Sequence, residues 1–176
     1  NLLTSNGSAW TSATPAATGA TEGTLQSLTS GTTSIFTIPA GTKRITIGIR
    51  DMAPAAGTPT LDMTLSDAGG YETSGYLSFS TSDASGSGRT GTAAFAISAS
   101  SSYFTLNTNA NGCISMVLAD AATNLWTASW ILADNDQGRI IGQGGGSKAL
   151  SAELTELKLA ISSSTFTTGS INVVYD

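Results

Sequence analysis

The sequence predicts an all-β domain: an antiparallel β-sandwich, jelly-roll-like, with about ten short strands and an extended N-terminal arm. Three observations carry that expectation. Thr and Ser, 27 and 25 of them, make 52 of the 176 residues and Gly adds 20, while charged residues are only 11%. Thr suits a pleated surface through its branched Cβ, and Gly and Ser suit tight connections, so this mixture favours many short strands. Period-two alternation of apolar and polar side chains recurs along the chain. Turn chemistry falls between the alternating runs, and no stretch carries a convincing helical period.

Residues 1–31 are dominated by Ser, Thr, Ala and Gly and read as a linker or arm. Leu2, Leu3, Trp10 and Leu25 are its apolar exceptions, and an isolated Trp10 there is expected to meet a neighbouring subunit. The first residue is Asn rather than Met, which points to a piece or processed product of something longer. The sandwich is expected over 32–176. Alternation starts at Thr33, and in 42–50 it sets Ile45, Ile47 and Ile49 on one face with Arg44, Thr46, Gly48 and Arg50 on the other. Leu61, Met63 and Leu65 repeat it, then Ile114, Met116 and Leu118, then Leu157, Leu159 and Ile161, and last Ile171, Val173 and Tyr175. Joints are expected at Pro39 to Gly41, Ala68 to Gly70, Asp83 to Gly86 and the Gly144 to Gly146 run, with Asn111-Gly112 as the strongest hairpin signal. The Ala-rich stretch from Asp120 to Asn124 fits a turn or a helical turn, and Asp51 to Pro59 reads as a loop. No internal repeat is evident, which argues against a solenoid.

A net charge of −5 and seven scattered basic residues argue against phosphate neutralisation, so no nucleic-acid partner is expected. No apolar run approaches the roughly 18 residues that a membrane helix needs, so no membrane insertion is expected. The lone Cys113 cannot form an internal disulfide and reads as a buried apolar thiol. The chain has no His, which removes the usual general base and the commonest zinc ligand. No catalytic residues are assigned. Carboxylate chemistry across a sugar would need paired acids, for which Asp62 with Asp67, Asp134 with Asp136, and Glu153 with Glu156 are the candidates, although most look like turn or strand-end residues. No cofactor is expected beyond calcium: Asp134 and Asp136, with Gly138, have the alternating oxygens of the first half of a calcium loop. The distal Glu is missing because position 145 is Gly, and an Asx-rich turn explains the same residues without metal.

Surface candidates follow from side-chain direction. Arg44 and Arg50 share the outward face of one strand, explained by solvation or by a subunit contact. Trp126 and Trp130 share a strand face with Ala128 between them, the composition of a core or of a seam between subunits. Tyr71 and Tyr76, flanking Glu72 in a Gly-rich segment, are the candidates for an exposed receptor-binding site, since ring faces and polar groups hold sugars.

Four blocks, FTIPAGTKRITI at 36–47, GYETSGY at 70–76, GGGSK at 144–148 and GSINVVYD at 169–176, together with the leading LTSNGSAW at 3–10, give the chain a family likeness. It resembles the C-terminal β-sandwich domain of tailed-bacteriophage tail-fibre and virion fibre-like proteins. The resemblance implies a virion structural protein on the particle surface, assembled in the host cytoplasm, homotrimeric and in contact with other virion proteins. It implies a tip that attaches to a host-surface glycan or protein receptor, and no catalytic residues. The rival expectations are a capsid decoration or head-fibre domain of purely architectural role, a two-carboxylate polysaccharide depolymerase, and a bacterial adhesin or pilus module.

Overall fold

The computed structural model describes residues 2–5, 10–13, 19–83, 88–98, 109–134 and 141–176, the first two segments as backbone only. Sixteen strands follow one another among the described residues, with no helix: β1 (Leu2–Ser5), β2 (Trp10–Ala13), β3 (Thr21–Glu22), β4 (Gln26–Ser27), β5 (Thr33–Thr37), β6 (Arg44–Pro54), β7 (Leu61–Asp67), β8 (Gly70–Tyr71), β9 (Leu77–Ser82), β10 (Gly88–Gly91), β11 (Phe95–Ala96), β12 (Ala110–Asp120), β13 (Leu125–Asp134), β14 (Ile141–Ala149), β15 (Glu156–Ile161) and β16 (Phe166–Tyr175). Fourteen of them build two antiparallel sheets. The large sheet runs β10-β9-β14-β13-β12-β6-β16-β3, with β4 also on β16, and the small sheet runs β11-β7-β15-β5, with β8 on β7. β1 and β2 pair with each other as a separate ribbon.

The chain alternates between the sheets, and each strand turns its apolar face to the other layer. Ile45, Ile47 and Ile49 of β6, Ile114 and Met116 of β12, and Ile171 and Val173 of β16 are buried from the large sheet. Leu61, Met63 and Leu65 of β7 with Leu157 and Leu159 of β15 meet them from the small one. These are the positions that alternation assigns to the interior. The expected arm is partly attached to the sheet: β3 and β4 pair with β16, and Leu28 is buried in the core.

Hydroxyls work inside the sandwich as well as outside it. The inward face of β9 is Ser78, Ser80 and Ser82, all buried. Ser80 donates to the Ala96 carbonyl at 2.6 Å, and Ser78 accepts the Ala96 N–H at 3.1 Å, so β9 of one sheet holds β11 of the other. Arg89 of β10 reaches across the same edge, donating to the carbonyls of Ser98 (2.9 Å) and Leu61 (2.8 Å) and pairing with Asp62 at 2.8 Å. Polar bonds thus close this side of the sandwich.

Several joints fall elsewhere than expected. Asn111-Gly112 is no hairpin: it lies inside β12, opposite a β-bulge in β6. Strict alternation would turn Asp51 inward, but Asp51 takes a φ of 51° and the register jumps from Ile49 opposite Gly112 to Met52 opposite Ala110. The extra residue resets the phase, so Met52 enters the core and Asp51 stays exposed. The Asp51 N–H donates instead to Asn111 Oδ1 at 3.0 Å. The first four residues of the expected 51–59 loop are therefore strand. Asp120 to Asn124 is a reverse turn joining β12 to β13, in which Asp120 accepts from the Ala122 N–H and the Thr123 hydroxyl. Cys113 is exposed rather than buried, because it shares the outward face of β12 with Ser115 and Val117.

The Gly144 to Gly146 run is no turn either but the middle of β14. A Cβ on Gly144 would lie 2.6 Å from the Trp130 ring, and one on Gly146 would overlap the backbone of β9. Glycine stands here because a neighbour occupies the side-chain space, not because the chain bends.

Candidate binding surface

The β13 face carrying Trp126, Ala128 and Trp130 turns inward and is buried. Trp126 and Trp130, expected in a core or a subunit seam, belong to the core. The bulk of Trp130 fits because the facing position on β14 is Gly144, while Trp126 lies opposite Lys148. Trp130 meets Phe95 edge-on at 6.2 Å, and Phe95 meets Tyr76 edge-on at 5.1 Å. The Lys148 ammonium lies 5.5 Å from the Tyr76 ring and 2.7 Å from the Glu72 carboxylate.

This column corrects the expected exposure of Tyr76, which is 1% exposed and accepts the Leu65 N–H at 2.8 Å. Burial pushes its phenol up to about 12. Glu72 is bound to Lys148, and Tyr71 stands on the outer face of the small sheet, half-buried. The Tyr71 hydroxyl donates to Glu156 at 2.8 Å and its ring lies 4.0 Å from the Lys158 ammonium. Burial, then the Glu156 bond, raises this phenol to about 12. Tyr71 and Tyr76 therefore face different surroundings and form no joint site.

The remaining candidates are also separated. Asp62 points outward to Arg89, whereas Asp67 is buried and accepts from Gly69, Ser151 and Ala152. Glu153 accepts the Gly41 N–H while Glu156 accepts the Tyr71 hydroxyl. Asp134 is buried at the end of β13 and Asp136 lies outside the described residues, as does the side chain of Trp10. Among the described residues no group of three or more His, Cys, Asp or Glu is placed to hold a metal ion. Arg44 and Arg50 are exposed on β6, with Asp51 3.8 Å from Arg50.

What the architecture does assemble is the outer face of the large sheet, a surface that no sequence motif marks. The registers set Leu77, Ser147, Thr127, Val117 and Arg44 side by side across β9, β14, β13, β12 and β6. The next outward rows are Phe79, Gly145, Ser129, Ser115 and Thr46, then Thr81, Gln143, Ile131, Cys113 and Gly48. Leu77 is 73% exposed, Phe79 51% and Ile131 56%, and Val117 and Ile141 are exposed beside them. Of the large apolar side chains exposed among the described residues, only Ile35 and Leu25 lie off β9, β14, β13 and β12, and Leu25 overhangs Gly48 and Asn172 of the same face. Gly145 floors a shallow trough of about 670 Å³, walled by Phe79, Thr81, Ser129, Ile131 and Gln143. Alternation indicates these outward residues in the sequence, but the order of the strands that brings them together is not local information.

The fold and this face define an all-β sandwich with one broad outer face that carries little charge. No family model, curated protein or solved structure matches the chain.

Proposed function

We propose that this chain is a non-catalytic structural and binding domain: the distal, homotrimeric part of a bacteriophage virion fibre or a similar appendage, attaching to a glycan or protein on the host surface. The observation that supports its assembly from several copies is the outer face of the large sheet, a field of hydroxyls, amides and exposed apolar side chains carried on fully paired strands, while the attachment role rests on the family likeness. Such a face suits contact rather than proton transfer, since the outward residues of β9, β14 and β13 include no acid and no base and β12 adds only Asp120 at its far end. Linked copies would give avidity from weak single contacts. The family likeness of the four sequence blocks adds to this reading.

The test is adhesion. The labelled chain is applied to a panel of bacterial strains and their isolated surface polysaccharides, and saturable binding to some and not others is expected. Binding to none of them would overturn the attachment role and favour the architectural alternative of a capsid decoration or head fibre.

A further inference from the structure

We infer that copies of this chain associate with one another through the outer face of β9, β14, β13 and β12, an inference that deepens the homotrimeric part of the reading above by naming its surface.

The first ground is size. At about 4.8 Å between strands and about 3.4 Å per residue, four strands of six residues cover about 400 Å² in plan, and about 600 Å² with the flanking β10 and β6. Side-chain corrugation adds to the accessible area, bringing it towards the roughly 800 Å² per partner of a standard interface. Leu77, Phe79, Val117, Ile131 and Ile141 are all exposed within this area, and exposed apolar side chains gathered on one face mark interaction sites.

The second ground is composition. The centre has no charged side chain, and charge appears at the rim as Asp120 at the end of β12, Arg44 and Arg50 on the β6 side and Asp83 beyond the end of β9. A centre of hydroxyls and exposed apolar side chains with its charges held at the rim matches the depletion of charge at the core of protein interfaces. The chain as a whole carries −5, so this face is where two copies can meet without bringing like charges together or desolvating an ion.

The third ground is shape. Phe79 and Ile131 stand as knobs on either side of the trough floored by Gly145, so the face carries both a projection and a recess. A face with both can pack against its own copy. The rim agrees in height: the Asp83 N–H bonds to the Ile141 carbonyl, Ile141 pairs with Ala133, Ala133 with Asn111, and Asn111 bonds beside Arg50 at Asp51. Copies related by an axis parallel to the strands therefore bring Arg50 of one towards Asp83 of the next.

The experiment is the solution mass of the chain by light scattering, compared with I131D, L77D and, as a control on the outer face of the small sheet, I35D. Circular dichroism and thermal unfolding confirm that each variant is folded. The expected result is a mass two or three times 17.7 kDa for wild type and I35D, falling to a single chain for I131D and L77D. A nitroxide on Cys113, the chain's one cysteine and the neighbour of Ile131 across β12 and β13, gives a second readout that needs no destabilising change. Dipolar coupling between copies is expected, and it should vanish on dilution with unlabelled chain. A single-chain mass for wild type, an unchanged mass in I131D and L77D, or no coupling at Cys113 would each overturn the inference and leave the face to a different partner. A twofold mass would sustain it while removing the homotrimer from the reading above, and failed adhesion with a retained oligomer would overturn attachment alone.

Discussion

At the scale of single residues, one multiply bonded carboxylate is a fastening. Asp67 follows the apolar run of β7, and its Oδ2 accepts from the Ser151 hydroxyl (2.7 Å) and the Ser151 and Ala152 N–H groups, while Oδ1 accepts from Gly69. The Ser151 hydroxyl first and the Gly69 N–H next hold this carboxyl below its ordinary 3.8. A depressed folded value means that the stabilisation is complete above the unfolded value and is lost as pH falls through the folded one. Asp67→Asn turns an amide towards donors that need an acceptor and should cost about 2 kcal/mol at neutral pH. The gap between wild type and variant in urea midpoint should close as the solution is acidified; a gap that stays constant would mean that the charge of Asp67 contributes nothing.

At the scale of elements, β14 shows how one strand serves two surfaces. Its three consecutive glycines alternate like any strand, with Gly144 and Gly146 inward and Gly145 outward. The inward pair gives way to the Trp130 ring and to β9, and the outward one floors the trough. Gly144→Ala places a methyl 2.6 Å from the Trp130 ring and 2.5 Å from the Phe79 carbonyl oxygen. It should cost about 2 kcal/mol by overpacking, or about 6 °C in midpoint for a chain of this size. Gly145→Ala meets only the Ala128 carbonyl, at 3.2 Å, and should stay within about 0.5 kcal/mol. Thermal unfolding of the two variants checks the contrast, and equal losses would contradict the assigned directions. The bulge at Asp51 is the other element-scale device: one extra residue turns Met52 into the core after Ile49 and leaves the acid in solvent.

At the scale of the whole molecule, the sandwich separates its polar and apolar demands between layers. Buried serines and Arg89 close one edge, a column of aromatic rings ending in the Lys148–Glu72 pair fills the space between the sheets, and the broad outer face carries little charge. If copies meet through that face, their association is driven by apolar burial, with the rim pair Arg50 and Asp83 contributing little at the surface. The oligomer's mass should then persist as sodium chloride is raised and strengthen in sulfate, since screening acts on charges and excluded salts favour burial. Dissociation by moderate salt would instead assign the contact to the rim. Sedimentation across a salt series separates the two.

By itself the sequence determined the fold class and the interior of most strands. Alternation is local, and a run such as Ile45, Ile47 and Ile49 or Leu61, Met63 and Leu65 has one face to bury whatever its neighbours are. Its turn at Pro39 to Gly41 and the one at Ala68 to Gly70 were legible for the same reason, because their chemistry acts over adjacent residues. Only the tertiary structure decided what the remaining glycines and aromatics do. Gly144 to Gly146 and Asn111-Gly112 have turn composition, yet a side chain or backbone from another strand fills the space that a turn would leave empty. Tyr71 and Tyr76 look alike in the sequence, but pairing of β8 with β7 sends one outward and packing on Phe95 takes the other inward. The outer face was invisible for the same physical reason: Leu77, Phe79, Val117, Ile131 and Ile141 are single exposed residues in the chain and become a surface only when the sheet order sets their strands side by side.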